Sequence, residues 1–394
     1  MTKRVNFSHK TLIVRLILGV VLLSCAICFY SCAIITGFIT GFESYNNETI
    51  SDIIPYYRNI YVITEDGYCY VSGDYSSSSS NKYWLYESTH NDKLYTHTPV
   101  KILDERVKKV IPYSTLGALL IDEDDRLFDF NDFTVKEVYN GVSYATIVPY
   151  YHNERIFGNG NTYAYYVIDK SGVLYAVSES GETKKLFSQV CSVDFYLDTI
   201  LVLNDSGVLN QYQISESGEI TLTEKLFENV SSFDVMDTSL RFDGEKYVFD
   251  DEAAKDLPLI NVLTNDGELY TKGAYNLLCC TLSLAAHPEP KIIDEWTLIA
   301  EKVEDFSMAP MGTAIKFTNS SAGYYGFDTD NSANSKFEFG YLELAPANVI
   351  DVYASDVQVL VKTTQAFYKW GSSLEYDVEG DHTLFTGSPI ILYP

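Results

Sequence analysis

Val62 to Tyr70 reads V-I-T-E-D-G-Y-C-Y, Val167 to Tyr175 reads V-I-D-K-S-G-V-L-Y, and Val262 to Tyr270 reads V-L-T-N-D-G-E-L-Y. One unit is written three times. An apolar run leads into Asp-Gly or Ser-Gly, whose glycine supplies the positive φ of a tight turn, and a short aromatic-ended run follows. Each copy is therefore a β-hairpin. Weaker copies are L-I-D-E-D-D-R-L-F from Leu120, V-L-N-D-S-G-V-L-N from Val202 and L-V-K-T-T-Q-A-F-Y from Leu360. Two degenerate copies fall at Arg241-Phe242-Asp243-Gly244 and Lys316-Phe317-Thr318-Asn319.

Outward from each hairpin the pattern continues. Upstream lie Val107-Lys108-Lys109-Val110, Val190-Cys191-Ser192-Val193, Val230-Ser231-Ser232-Phe233, Val303-Glu304-Asp305-Phe306 and Val349-Ile350-Asp351-Val352, which read as a third strand with alternating apolar residues. Further upstream, Pro99-Val100-Lys101-Ile102-Leu103 and Pro290-Lys291-Ile292-Ile293 read as a fourth, outer strand, where proline is tolerated. Four antiparallel strands per repeat predict a propeller blade. The fold class expected is all-β, a seven-bladed β-propeller with eight blades as the alternative, preceded by a single transmembrane helix. The chain ends in Gly387-Ser388-Pro389-Ile390-Ile391-Leu392-Tyr393-Pro394, a strand with no hairpin after it. The sequence thus predicts that the C-terminus closes the ring by lending an outer strand to the first blade.

This arrangement resembles the regulator of chromosome condensation repeat family, on Ile60 to Gly73, Asn261 to Gly273 and Val359 to Gly371. Tyr368-Lys369-Trp370-Gly371 is near that family's aromatic-Trp-Gly signature. The Gly-Gly or Gly-x-x-His step that the family carries before the apolar strand is missing, and several copies lack Trp and the terminal Gly. The resemblance implies a propeller of a divergent, bacterial, membrane-anchored kind that offers its loop face to other proteins.

The membrane expectation comes from Leu16 to Phe42, twenty-seven residues without a charge. About twenty such residues span a bilayer as a helix. Lys3, Arg4, Lys10 and Arg15 precede this run and Glu43 follows it, so the positive-inside rule predicts a cytoplasmic N-terminus. The domain reading is a basic tail over 1–15, the transmembrane helix over 16–42, a linker over 43–52 and an extracellular propeller over 53–394. A retained signal-anchor at the cell membrane is the default, with a cleaved signal peptide or a lipid on Cys25 as alternatives.

Net charge is −26, and the four cations of the first fifteen residues make the remainder more acidic still. Nucleic-acid partners, which clustered Lys and Arg hold, are excluded for the main body. The six His residues are scattered, with no Gly-x-Ser-x-Gly, His-Glu-x-x-His or Walker pattern near them. No enzyme activity, cofactor or metal is expected. Asp328 to Asn334 partly mimics a calcium loop, but Ala333 stands at its glycine position and Phe339 where a bidentate Glu is required. Asp122-Glu123-Asp124-Asp125 reads as a polar turn. Cys69, Cys191, Cys279 and Cys280 lie beyond the apolar run, and their pairing is open.

Residues 74–98 combine a serine run with Tyr75, Tyr83, Trp84, Tyr86 and Tyr95. Tyr and Trp bury large area at low entropy cost, which makes these five the candidate partner-binding residues. Tyr83 to Tyr86 read equally well as an outer strand. The function expected is a membrane-anchored cell-surface module that binds an unidentified protein. The alternative is a carbohydrate-binding or carbohydrate-active surface protein, with a glycan as ligand.

Overall fold

The computed structural model describes residues 50–56, 59–74, 95–114, 117–131, 134–148, 155–157, 164–236, 240–242, 247–249, 255–275, 290–328, 338–355, 358–371 and 390–393. The first four-stranded sheet is β1 (Ile50–Tyr56), β2 (Asn59–Thr64), β3 (Cys69–Asp74) and β4 (Tyr95–Lys101). The second is β5 (Val107–Ser114), β6 (Gly117–Asp122), β7 (Arg126–Asn131) and β8 (Thr134–Asn140). The third is β9 (Val142–Val148), β10 (Ala164–Asp169), β11 (Leu174–Ser178) and β12 (Thr183–Phe187), and the fourth is β13 (Val190–Tyr196), β14 (Thr199–Asn204), β15 (Leu209–Ile214) and β16 (Ile220–Phe227).

The fifth opens with β17 (Val230–Met236), after which β18 (Leu240–Phe242), β19 (Tyr247–Phe249) and β20 (Lys255–Asp256) form a separate three-stranded sheet. It resumes with β21 (Leu259–Thr264), β22 (Leu269–Tyr275) and β23 (Lys291–Ala300). The sixth is β24 (Val303–Ala309), β25 (Gly312–Phe317), β26 (Ser321–Asp328) and β27 (Glu338–Ala347). The last is β28 (Val349–Ser355), β29 (Gln358–Thr363), β30 (Phe367–Gly371) and β31 (Ile390–Tyr393).

Seven four-stranded sheets and one small three-stranded sheet are thus present among the described residues. The first strand of each four-stranded sheet is innermost. These strands or their immediate partners touch in sequence around an axis, and β28 touches β1 to complete the circuit. The hairpin expected at Arg241–Gly244 is no blade: Arg241 and Phe242 lie on β18, in the insert, which removes the eight-bladed alternative. The expectation of a propeller preceded by a transmembrane helix is corrected to the all-β propeller alone. Residues 16–42 lie outside the described residues, and no helix among the described residues is long and apolar enough to cross a membrane.

The apolar spacing of the inner strands has a physical origin that strict alternation misses. Residues three apart in a regular strand point to opposite faces, yet Val107 and Val110, Val190 and Val193, Val230 and Phe233, and Val349 and Val352 are all buried. A register shift between the first and third residue of each pair's segment supplies one extra residue. That β-bulge returns both apolar residues to one face. Ser51, Ser143 and Ser231 occupy the bulged position, and each hydroxyl donates to the two carbonyls opposite it, as Ser231 does to Leu263 and Thr264. The buried face packs on the preceding sheet: Val107 and Val110 join Tyr61, Ile63, Cys69 and Val71, while Val230 and Phe233 join Leu201 and Leu203.

The turns of the repeat are also joints. Backbone N–H groups of Val107, Val142, Val190, Val230, Val303 and Val349 donate to the carbonyls of Gly67, Asp125, Gly172, Gly207, Gly267 and Ser320 at 2.7–2.9 Å. All six acceptor residues hold positive φ, between 61° and 84°. The Asp-Gly and Ser-Gly steps therefore close a hairpin and present a carbonyl to the next sheet. Asp125 shows that glycine is not obligatory, since its carboxylate engages Lys108 and Lys170 in the left-handed conformation.

Closure differs from the expectation. β31 pairs with β30, placing Ile391 opposite Tyr368, so the C-terminal strand completes the last sheet. The first sheet owns all four of its strands, and Ile53-Ile54-Pro55 lie on its inner strand β1. No strand is exchanged between the first and last sheets.

Candidate functional site

Two register positions follow each bulge on the inner strands. The first holds Asp52, Lys109, Tyr144, Ser192, Ser232, Asp305 and Asp351; the second holds Ile54, Ile111, Thr146, Asp194, Asp234, Ser307 and Tyr353. Both alternate with the apolar residues that face the preceding sheet. Strand pleating thus lines up a mostly polar belt along the inner strands, interrupted by Ile54 and Ile111, that carries five carboxylates and one lysine.

Neighbours in this belt interact across the sheet boundaries. Lys109 Nζ lies 5.2 Å from the centre of the Tyr144 ring, and burial lowers its pKa. Burial, with the charges of Asp194 and Asp234, pushes the pKa of the Tyr144 hydroxyl up. Asp194 and Asp234 hold equivalent register positions on the adjacent inner strands β13 and β17. Burial raises both above the usual carboxylate range, Asp234 to about 6. Asp305 is also raised, first by burial and then by Asp351 among its neighbours.

At the seam between last and first sheets the Tyr353 hydroxyl lies 2.9 Å from Asp351 Oδ2 and 3.0 Å from Asp52 Oδ1. Lys362 Nζ donates to the Ser51 carbonyl at 2.6 Å and to Asp52 Oδ1 at 3.1 Å. The Ser307 hydroxyl accepts from the Ala354 amide at 2.9 Å, tying the sixth sheet to the seventh.

This belt can hold sheets together, as Tyr353, Asp52 and Lys362 do at the seam. Among the described residues no group of three His, Cys, Asp or Glu could hold a metal ion. Asp122 is buried and accepts from the Arg126 amide at 2.7 Å and from Arg126 Nε at 2.8 Å, so this acidic run is a hairpin turn. Cys69 is a buried free thiol and Cys191 an exposed one.

Of the sequence-predicted binding residues, Tyr75, Tyr83, Trp84 and Tyr86 lie outside the described residues. Tyr95 begins β4, opposite Asp74 on β3. Cys279, Cys280 and most of the calcium-like segment 328–334 also lie outside the described residues. The belt itself went unread in the sequence. Its signal is an aspartate four residues after the leading valine in V-C-S-V-D and V-S-S-F-D, which marks Asp194 and Asp234.

The fold defines a β-propeller. No protein-family model matches the chain, nor does any curated protein. Among solved structures, PorZ of Porphyromonas gingivalis, a surface component of the type-IX secretion system, is 11% identical, with a TM-score of 0.47 over 88% of this chain. This chain spans 38% of PorZ. Prp20p from Saccharomyces cerevisiae is 12% identical, with a TM-score of 0.47 over 78% of this chain and 80% of its own. Human WBSCR16 is 14% identical, with a TM-score of 0.44 over 88% of this chain and 82% of its own.

These comparisons correct the expected family. With no family model matching, membership of the regulator of chromosome condensation repeat family does not stand, and a 12% likeness to Prp20p carries neither a bacterial source nor an anchor. The cell-membrane localisation, with its cytoplasmic N-terminus, extracellular propeller and membrane partner, rested on residues 16–42 alone. Those residues lie outside the described ones, no helix among the latter can cross a membrane, and the localisation is withdrawn. Nothing among the described residues or in the comparisons favours the glycan alternative, and it is withdrawn as well.

Proposed function

We propose that this chain is a protein-interaction scaffold, without catalytic chemistry of its own, that engages its partner through one face of the propeller. The observation that carries this reading is where the connections lie. In each antiparallel sheet the first and third strands end on the same face. The connections leaving that face include 75–94, 149–163, 237–258, 276–290, 329–337 and 372–389. Connections on the opposite face hold one to five residues each. A rigid sheet framework with its long connections gathered at one end is the arrangement in which loops carry recognition. Tyr75, Tyr83, Trp84, Tyr86 and Tyr95 belong to one of these connections or its edge.

The test compares the two faces. Partners recovered by cross-linking with the wild-type chain are challenged with a variant in which 76–93 is replaced by a short Gly-Ser turn. A second variant carries Glu65→Ala and Asp66→Ala on the opposite face. Loss of cross-links in the first and retention in the second supports the reading; the reverse pattern removes it.

A further inference from the structure

The boundary between the fifth and sixth sheets carries an amide at a register position that is Tyr, Leu or Ala in every other sheet. Asn261 on β21 stands opposite the second belt position, and its equivalents are Tyr61, Leu119, Tyr166, Leu201, Ala314 and Leu360. Its Nδ2 donates across the boundary to Thr313 Oγ1 on β25 at 2.6 Å. The Tyr275 hydroxyl, at the end of β22, lies 3.1 Å from the same Thr313 oxygen and 3.1 Å from Thr271 Oγ1 on its own strand. All four residues are fully buried.

The protons of this group do not balance its acceptors. Three hydroxyls carry three protons, and the two contacts between them use two; the Asn261 amide carries two and uses one at Thr313. One hydroxyl proton and one amide proton therefore have no acceptor within the group. Asn261 Oδ1 is the converse, a buried acceptor that no donor among the described residues reaches. An oxygen buried in that way forfeits the hydrogen bonds it makes in water, and native interiors supply the missing donor from protein or from ordered water. Asn is also smaller than the Tyr or Leu that holds most of the equivalent positions, which favours an added molecule.

We propose that this boundary binds one ordered water, which accepts a spare proton of the group and donates to Asn261 Oδ1, linking the fifth sheet to the sixth. All four side chains are neutral, so nothing in the group offsets the desolvation of an ion, whereas water both donates and accepts. Tyr275 belongs to a buried cluster with Leu259, Met308, Met311 and Ala314, so the water exchanges with solvent only when the boundary opens. Asn261 is the third residue of β21 and Tyr275 the last of β22, which puts the water close to the roots of the 237–258 and 276–290 connections. This goes beyond the scaffold reading and does not depend on it.

Oxygen-17 magnetic relaxation dispersion of the full chain tests it, because that signal comes from water oxygen and is blind to hydroxyl protons. Asn261→Leu, which gives this position the side chain of its equivalents Leu119 and Leu201, should lower the dispersion amplitude by the contribution of one long-lived water. An unchanged amplitude overturns the proposal. Should Asn261→Leu not fold, a high-resolution crystal structure of the wild-type chain decides. Density for a water within about 3.2 Å of the Asn261 side-chain oxygen is expected. Its absence overturns the proposal, and so does an amide turned over, with its oxygen on Thr313 and its NH2 on a protein carbonyl, which would complete the group without a water.

Discussion

Asp52 and Lys362 stand 310 residues apart in the chain and 3.1 Å apart in space, on either side of the seam where the first sheet meets the last. Tyr353 adds its hydroxyl to the same carboxylate at 3.0 Å. The ring therefore closes through side chains, because each terminal sheet already owns four strands and has none to share.

Breaking that clasp should be costly for so few atoms. The two side chains are 18% and 25% exposed, so water screens the pair only in part. Lys362→Met leaves Asp52 half-buried and without its cation, and a loss of about 1–3 kcal/mol is expected, above the ±0.5 kcal/mol typical of open surface. Asp52→Asn should be milder, because the amide still meets Tyr353. Urea unfolding of both variants and of the double variant checks this, with a coupling of at least about 0.5 kcal/mol between the two positions.

Gly267 should resist substitution more than Gly141 does. Both have positive φ, 78° and 80°. A Cβ at Gly267 would lie 3.1 Å from the Val303 carbonyl oxygen, whereas one at Gly141 meets nothing within 4 Å. Gly141→Ala carries the left-handed strain alone, about 1 kcal/mol, and Gly267→Ala should exceed it by disturbing the joint to the sixth sheet. Thermal unfolding of the two single variants gives the comparison.

How much of this could be read from the sequence depends on range. The hairpins at Gly67, Gly172, Gly207 and Gly267 were legible because a positive-φ turn is written in two adjacent residues. The inner strands were legible as strands but not in their geometry, since V-x-x-V has no regular strand period and only the bulge at Ser51, Ser143 or Ser231 reconciles it. Closure was misread because Ile390 to Tyr393 read as an outer strand equally well for either sheet, and only the pairing of β31 with β30 assigns them to the last. The belt was invisible for a similar reason. Asp194 and Asp234 look like ordinary polar alternation until two sheets are placed side by side.

The aromatic connection offers a check that separates recognition from structure. Tyr83→Ala, Trp84→Ala and Tyr86→Ala together should leave the unfolding midpoint within about 0.5 kcal/mol of wild type and weaken partner binding by about 2 kcal/mol or more. Calorimetric unfolding and a binding isotherm on the same preparation measure both. A large drop in stability would mean that these three residues form a strand.

The most direct measurement of ring closure is amide hydrogen exchange on a chain ending at residue 389, compared with the full chain. Removing β31 should unprotect amides of β30 from Phe367 to Lys369, its pairing partners, while β3 and β4 of the first sheet keep their protection. Protection lost in the first sheet instead would mean that the C-terminal strand closes the ring by exchange, and would contradict a seam held by Asp52, Tyr353 and Lys362.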